Sequence, residues 1–165
     1  MSNPCPGCEF DWDTSDHAGL IGAIERAPRA VTALVADRSL ATLRRRPDPG
    51  TWSPLEYTVH LGTALDFYAN RIELVVTTDR PQLHGFDFAA ACDRDRYDER
   101  SLEEALDLVT LAARRLVTLL QPLTPEQWQR VAIGSDGDER TVEALARRAA
   151  HEAKHHLLDI RRELD

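Results

Sequence analysis

Two short stretches of this chain carry side chains that bind metal ions, and they lie far apart in the sequence. The segment HEAKHHLLDI contains His151, Glu152, His155 and His156, whereas His60 lies in WSPLEYTVHL. Residues four apart lie one turn apart on the same face of a helix. Such a pair, joined by a third ligand from a facing helix, forms a three-ligand site with an open coordination position, which is what a catalytic metal ion needs.

A helical wheel separates the histidines of the last stretch into two sets. Its apolar face, which must point to the core, is formed by Val142, Leu145, Ala146, Ala149, Ala153, Leu157, Ile160 and Leu164. Glu152 and His156 lie on the border of that face, whereas His151 and His155 project from the opposite side. His60 lies at the edge of the apolar face of its own helix. We therefore predict an inner site in which His60, Glu152 and His156 bind a divalent ion, with zinc most plausible from the N/O ligands and nickel the alternative. The alternative without a metal is a hydrogen-bonded core histidine beside an unrelated charged pair.

A second constellation combines the outward pair with the turn Cys5-Pro-Gly-Cys8 near the N-terminus. C-x2-C and H-x3-H are the two halves of a tetrahedral structural zinc site. We predict that Cys5, Cys8, His151 and His155 share a second, closed zinc that pins the N-terminus to the last helix. Solvated histidines beside a disordered or weakly reactive turn are the alternative, and a redox role is less favoured because no βαβ context is present. The replacement ligands would be Cys92, His84 and His17.

Helix-capping motifs predict where the helices that carry these residues begin. Ser53-Pro54-Leu55-Glu56 is a capping box that opens a helix over about residues 53–78, and Ser101-Leu102-Glu103-Glu104 opens another that runs to about residue 120. A short helix begins at Thr124, and Thr141 caps a last helix over about residues 142–164. A first long helix begins near residue 15 or 16 and runs to about residue 37, with Pro28 as a kink or break.

No strand pattern of period two is visible in the sequence. Four long helices joined by one long middle connection predict an all-α four-helix bundle with a short extra helix near residues 124–130. We divide the chain into an N-terminal CxxC arm, residues 1–14, and a bundle, residues 15–165. The connection over residues 79–100 is long enough for a lid, with Phe86, Phe88 and Tyr97 at a pocket mouth, although a solvated connector is equally consistent with it.

Composition limits the partners and the compartment. The 165 residues fit one domain, and a net charge of −8 with a pI near 5.2 argues against nucleic acid or an anionic membrane surface as partner. No apolar run approaches the roughly 20 residues that span a bilayer. No signal peptide is visible, and three cysteines are too few for a disulfide framework, so we expect a cytoplasmic protein.

The motif WSPLEYTVHL, followed much later by E-x3-H-x2-D, resembles the DinB-like metal-dependent superfamily, which includes mycothiol-dependent maleylpyruvate isomerases and bacillithiol S-transferases. The resemblance covers about residues 15–165 and implies a four-helix bundle whose ion is held by one histidine of the second long helix and two ligands of the last. Those two are histidines in most DinB-like proteins. In the maleylpyruvate isomerase branch they are Glu then His, followed by Asp, which is similar to Glu152, His156 and Asp159. The CxxC arm departs from the family pattern.

This resemblance implies metal-assisted thiol chemistry, either S-transfer or thiol-dependent isomerisation, with a low-molecular-weight thiol such as mycothiol as co-substrate and a small-molecule substrate. Metal-activated water would instead give hydrolysis. A non-catalytic, zinc-binding or stress-associated bundle is the alternative outside enzyme chemistry, and either a monomer or a homodimer is consistent with the sequence. Asp159 lies one turn after His156, where it would orient that imidazole or pair with Arg161 or Arg162.

Overall fold

The structure of the protein is a computed structural model that describes residues 4–13 and 16–165. Its four long helices are α1 (His17–Val35), α3 (Pro54–Thr77), α5 (Leu102–Leu120) and α7 (Val142–Leu164). Between them lie the short helices α2 (Leu40–Arg44), α4 (Phe88–Arg94) and α6 (Pro125–Trp128), a 3-10 turn (Tyr97–Glu99), and the strands β1 (Val131–Ile133) and β2 (Glu139–Thr141). The predicted all-α four-helix bundle is confirmed.

The predicted caps begin the long helices. Ser53 and Ser101 each form a complete capping box with the glutamate three residues later, and the Thr141 hydroxyl accepts a hydrogen bond from the backbone N–H of Ala144. Asp16 caps α1, while Ser15, the other predicted start, and the proposed boundary at residue 14 lie outside the described residues. α1 continues through Pro28 as one helix.

The four long helices form a closed ring in which α3 and α1 each pack against both α5 and α7. α3 and α7 are therefore neighbours, which is the arrangement that the inner site requires. The apolar face predicted for α7 is buried except for its last turns, where Leu157 and Leu164 remain partly exposed. None of the described helices is long and apolar enough to cross a membrane.

The structure corrects the sequence analysis in the connections. β1 and β2 form an antiparallel hairpin in a segment for which no strand was predicted. Each strand has only three residues, too few to display a period of two. The long middle connection is likewise not a plain loop, because it contains α4 and the 3-10 turn, and its Gln82 forms an isolated bridge with Ile133 of β1. This connection is thereby fixed against the bundle and the hairpin.

Candidate metal centres

The inner constellation assembles at the interface of α3 and α7. One ligand atom from each of His60, Glu152 and His156 lies within 4.8 Å of the other two. His60 Nε2 is 3.5 Å from Glu152 Oε2, and His156 Nε2 is 3.0 Å from the same oxygen. The structure therefore brings together the three residues that the helical wheel had placed at the border of the core.

The donor geometry fits a single divalent ion. Two N or O donors that are each about 2.1 Å from one ion lie about 3.0 Å apart at a right angle and about 3.4 Å apart at the tetrahedral angle. The two observed separations, 3.0 and 3.5 Å, match these edges of a coordination polyhedron. Three protein ligands leave at least one coordination position for another molecule.

Asp159 orients His156 from behind. Its Oδ2 atom is 2.9 Å from His156 Nδ1, which donates the hydrogen bond because an ionised carboxylate only accepts. With Nδ1 protonated, Nε2 of the same ring carries the lone pair that a metal requires. The other oxygen of Asp159 accepts a hydrogen bond from Arg162 at 3.3 Å. Asp159 therefore both contacts the His156 imidazole and pairs with a surface arginine, the two possibilities that the sequence left open.

The electrostatics of the site favour the charged forms of Glu152 and His156, and a bound metal ion would take the place of the proton on His156 Nε2. Although burial opposes protonation, the hydrogen bonds that His156 donates to Asp159 and Glu152 raise its pKa to about 9. Burial disfavours the charged form of Glu152 as well, yet its hydrogen bonds with three histidines hold the pKa of this carboxyl well below its usual range. The pKa of His60 is lowered by burial, which keeps this imidazole neutral and ready to bind a metal.

An aromatic wall surrounds the inner site, and it was not recognised as such from the sequence. The rings of Trp52 and Phe88 each lie 4.9 Å from the His60 ring, and Tyr57 stacks against His156 with ring centroids 5.6 Å apart. Such a wall limits the access of bulk water and lowers the local dielectric constant, so that charge interactions within the site become stronger.

The outer constellation also assembles. One ligand atom from each of Cys5, Cys8, His151 and His155 lies within 4.8 Å of the others, and Cys5 Sγ is 3.6 Å from His155 Nδ1. A sulfur about 2.3 Å and a nitrogen about 2.05 Å from one tetrahedral zinc would lie about 3.6 Å apart. The four side chains therefore have the composition and spacing of a closed Cys2His2 site.

The arm is held on α7 by contacts that place the two cysteines. Lys154 Nζ donates to the carbonyl oxygen of Glu9 at 3.1 Å, and Arg162 Nη2 donates to that of Gly7 at 2.8 Å. A Cβ atom at Gly7 would lie only 2.7 Å from His155 Cε1, so glycine permits this close approach. The outward histidines are consequently half-buried rather than fully exposed, because the arm lies against them and the Trp12 ring is 4.6 Å from that of His151.

The two thiols of the turn differ in acidity. The neighbouring His151 side chain and a hydrogen bond with the backbone of Gly7 lower the pKa of Cys5 to about 6. Burial raises the pKa of Cys8 above its ordinary value. A thiolate at Cys5 is the form that binds zinc.

The alternative ligands considered for the cysteine turn lie elsewhere. Cys92 is buried on α4, where its sulfur is 3.8 Å from Glu56 Oε1, and its pKa is raised to about 12, mainly by burial. His17 stacks on Trp128 at the start of α1, with ring centroids 3.8 Å apart. His84 lies exposed in the middle connection. None of the three belongs to either cluster of ligands found among the described residues.

A cavity of about 270 Å³ is connected to the inner site through Phe88, which lines it and also contacts His60. None of the three donors lines the cavity itself. The middle connection contributes Phe86 as well, whereas Tyr97, also expected at a pocket mouth, lines a different cavity beside α5. Arg71 and Arg148 line the first cavity, and neither forms an ion pair with a carboxylate among the described residues.

Comparison with known proteins agrees with this architecture. The family model of the DinB superfamily matches residues 23–160, which is most of the chain. The chain belongs to the DinB superfamily. Among solved structures, it is similar to YfiT from Bacillus subtilis, with a TM-score of 0.76 and 22% sequence identity over 88% of this chain and 86% of that one. YfiT is described as a probable metal-dependent hydrolase with an unusual four-helix bundle topology. No curated protein sequence gives a significant match.

Membership of the DinB superfamily does not extend to the arm. The matched region begins at residue 23, so it includes all three inner residues and both outer histidines but neither Cys5 nor Cys8. The chain thus has a DinB-like fold, with one group of candidate metal ligands inside the matched region and another that is completed from outside it.

Proposed function

We propose that this DinB-superfamily protein is a metal-dependent enzyme whose ion is held by His60, Glu152 and His156. The observation that carries the proposal is the meeting of these three donors within 4.8 Å on facing helices, beside an aromatic wall whose Phe88 also lines a cavity. When bound, a divalent zinc or nickel ion would lower the pKa of a coordinated thiol or water and supply a nucleophile near neutral pH.

The residues around the donors set the conditions for that chemistry. Asp159 accepts the hydrogen bond at His156 Nδ1 and so leaves Nε2 of that ring as the nitrogen that would bind the ion. Trp52, Tyr57 and Phe88 exclude bulk water from the same space.

The cavity indicates the class of substrate. Arg71 lies over the Phe67 ring, 4.0 Å from its centroid, and Phe86 and Phe88 complete an aromatic cluster on the same wall. Guanidinium groups bind carboxylates, and aromatic rings pack against planar or apolar groups. We infer a small-molecule substrate with a carboxylate and an apolar or unsaturated portion.

A low-molecular-weight thiol such as mycothiol is the proposed nucleophile, and the reaction is then S-transfer or thiol-dependent isomerisation. The support is the order Glu152, His156 and Asp159 along α7, which is similar to the maleylpyruvate isomerase branch. Hydrolysis is the second candidate, because the structurally similar YfiT is described as a hydrolase. A non-catalytic bundle in which the ions stabilise the fold would show metal binding without turnover.

The proposal is tested by assaying zinc- and nickel-loaded protein against electrophilic carboxylates, with and without a low-molecular-weight thiol. We expect turnover that requires the thiol and is lost in His60→Ala together with the inner ion. His84→Ala is the matched control, since His84 is an exposed histidine outside both ligand clusters and should change neither property. Arg71→Ala should raise KM and leave metal content unchanged.

The possible results separate the alternatives. Turnover that proceeds equally without thiol would replace the thiol reaction by hydrolysis. Full activity in the His60→Ala variant, or a wild-type protein that binds no ion at the inner site, would refute the metal-dependent function altogether.

A further inference from the structure

We propose that Cys5, Cys8, His151 and His155 bind one zinc ion in a closed site, and that this ion fixes the orientation of Glu152 and Asp159 at the inner site. The second half of this proposal rests on the proposed function, whereas the first half does not. The outer site would be structural, because four protein ligands leave no position for a substrate.

A zinc ion explains the outer contacts better than hydrogen bonding alone. The separation of 3.6 Å between Cys5 Sγ and His155 Nδ1 equals the edge expected for a tetrahedral zinc site. His151 Nε2 is buried, and no hydrogen bond to it is found among the described residues. A buried ring nitrogen without a partner costs free energy, and a metal ion at the centre of the cluster would satisfy it.

The contacts that dock the arm on α7 do not by themselves account for the meeting of four metal-binding side chains at one point. Cys8 is buried on α7 at the end of a tight turn in which the backbone N–H groups of Cys8 and Glu9 both donate to the carbonyl oxygen of Cys5. This turn directs both thiols to one side, towards His151 and His155, which lie one turn apart on α7. An arm held only by packing would not need two cysteines and two histidines to converge on one point.

The two clusters are linked through the second nitrogen of each outer imidazole. His151 Nδ1 is 3.7 Å from Glu152 Oε1, and Glu152 Oε2 faces His60 and His156. Similarly, His155 Nε2 is 3.5 Å from Asp159 Oδ2, the atom that accepts from His156 Nδ1 at 2.9 Å.

An ion that fixes the outer rings would therefore hold both inner-site carboxylates in place. Residues that orient a metal ligand in this way typically change metal affinity by about 10–100-fold when they are removed. Glu152 and Asp159 are then shared by the two centres, and Cys5 and Cys8 are positioning residues for the inner ion although they do not touch it.

Metal analysis of the purified protein tests the outer site. Wild type should hold two equivalents of metal, and Cys5→Ser and Cys8→Ser should each lose one. Cys92→Ser is the matched control, because Cys92 is a buried thiol outside the cluster, and it should lose none. Zinc content that is unchanged in both Cys5→Ser and Cys8→Ser would overturn the outer site.

Cobalt substitution of the wild-type protein tests the same point and does not depend on whether the cysteine variants fold. Cobalt bound at the outer site should give a thiolate-to-metal charge-transfer absorption in the near ultraviolet, which the N/O ligands of the inner site cannot produce. The band should persist in His60→Ala, so the outer site can be established even if the inner function fails. Absence of the band in cobalt-loaded wild type would refute the outer site.

Chelator competition tests the positioning role. We expect the inner ion to dissociate about 10–100-fold more readily in Cys5→Ser than in wild type, and Cys92→Ser to match wild type. Gly7→Ala retains every ligand but places a Cβ against His155, so it should weaken both sites. Inner affinity equal to wild type in a Cys5→Ser protein that has lost its outer zinc would overturn the positioning role.

Discussion

The same glycine-to-alanine change should have opposite effects at two helical positions. Gly62 lies within α3, two residues after His60, and Gly22 lies within α1. Each substitution gains about 0.8–1 kcal/mol of helix propensity. What the added Cβ contacts decides the sign of the net effect.

At Gly62 the added Cβ would lie 2.6 Å from Leu108 Cγ and 2.9 Å from the backbone nitrogen of Val109. These atoms belong to α5, and a backbone atom cannot rotate away, so the two helices must separate. Overpacking of this kind costs about 1–3 kcal/mol. Because part of the contact is with the backbone, we take the upper half of that range and expect a net loss of about 1–2 kcal/mol.

At Gly22 the nearest atom is Arg26 Nη1, 2.8 Å from the added Cβ. This atom is the far end of a flexible side chain, which can move into solvent at little cost. Gly22→Ala should therefore keep most of its propensity gain and stabilise the protein by about 0.5–1 kcal/mol.

Urea denaturation and thermal unfolding of both variants, at equal metal loading, measure these changes. For a domain of this size 1 kcal/mol shifts Tm by about 2–4 °C, so Gly62→Ala should lower Tm by about 2–8 °C and Gly22→Ala should raise it by about 1–4 °C. Gly62→Ala should also weaken the inner ion, because α3 carries His60. Equal stabilisation by both substitutions would show that α3 and α5 do not approach as closely as described.

The remaining predictions concern the buried carboxylate Glu56 and the two candidate metal sites. Glu56 is fully buried and accepts hydrogen bonds from Arg46 and from the backbone N–H of Ser53. Glu56→Gln should therefore lower the free energy of unfolding by about 2–4 kcal/mol in urea denaturation. A decrease of less than about 0.5 kcal/mol would contradict this. Burial opposes ionisation of Glu56, but Arg46 and Ser53 hold its pKa below the usual range. The difference in unfolding free energy between wild type and Glu56→Gln should therefore be complete above about pH 5 and shrink as the pH falls below about 4. Urea denaturation at several pH values measures this dependence. Asp159→Asn should weaken the inner ion by about 10–100-fold in chelator competition and keep the thiolate-to-cobalt band, whereas an unchanged inner affinity would exclude its orienting role. Chelation should lower the Tm of wild type more than that of Cys5→Ser, which has one ion fewer to lose, and equal shifts would argue against the outer zinc.

The features that could be predicted from the sequence are those that local sequence patterns determine. Capping boxes and the 3.6-residue period determine where the long helices begin and which side faces the core, so the placement of Glu152 and His156 followed from their phase. The sequence analysis did not predict the short helices α2 and α4. Each has an N-cap residue, Ser39 and Asp87 respectively, but is too short for a clear helical period and is stabilised by packing.

The surroundings of the candidate site could not be predicted in the same way. Trp52 and Phe88 come from a loop and a short helix, and only tertiary packing brings them to His60 on α3. The burial of His151 likewise depends on where the arm docks, since a wheel treats the helix in isolation and shows an outward residue as exposed.

The crowding of so many donors onto adjacent turns of α7 has a consequence for how the chain tolerates changes in length. Each residue of a helix is rotated by about 100° from the one before it, so a single insertion between Glu152 and His155 would turn His155 and His156 by that angle relative to His151 and Glu152. Neither pair of ligands would then remain on one face, and no nearby loop could absorb the shift. The turn at residues 134–138 lies outside the helices, and an extra residue there would be absorbed before Thr141 caps α7. Length variation should therefore be tolerated immediately before this helix and not within its central turns.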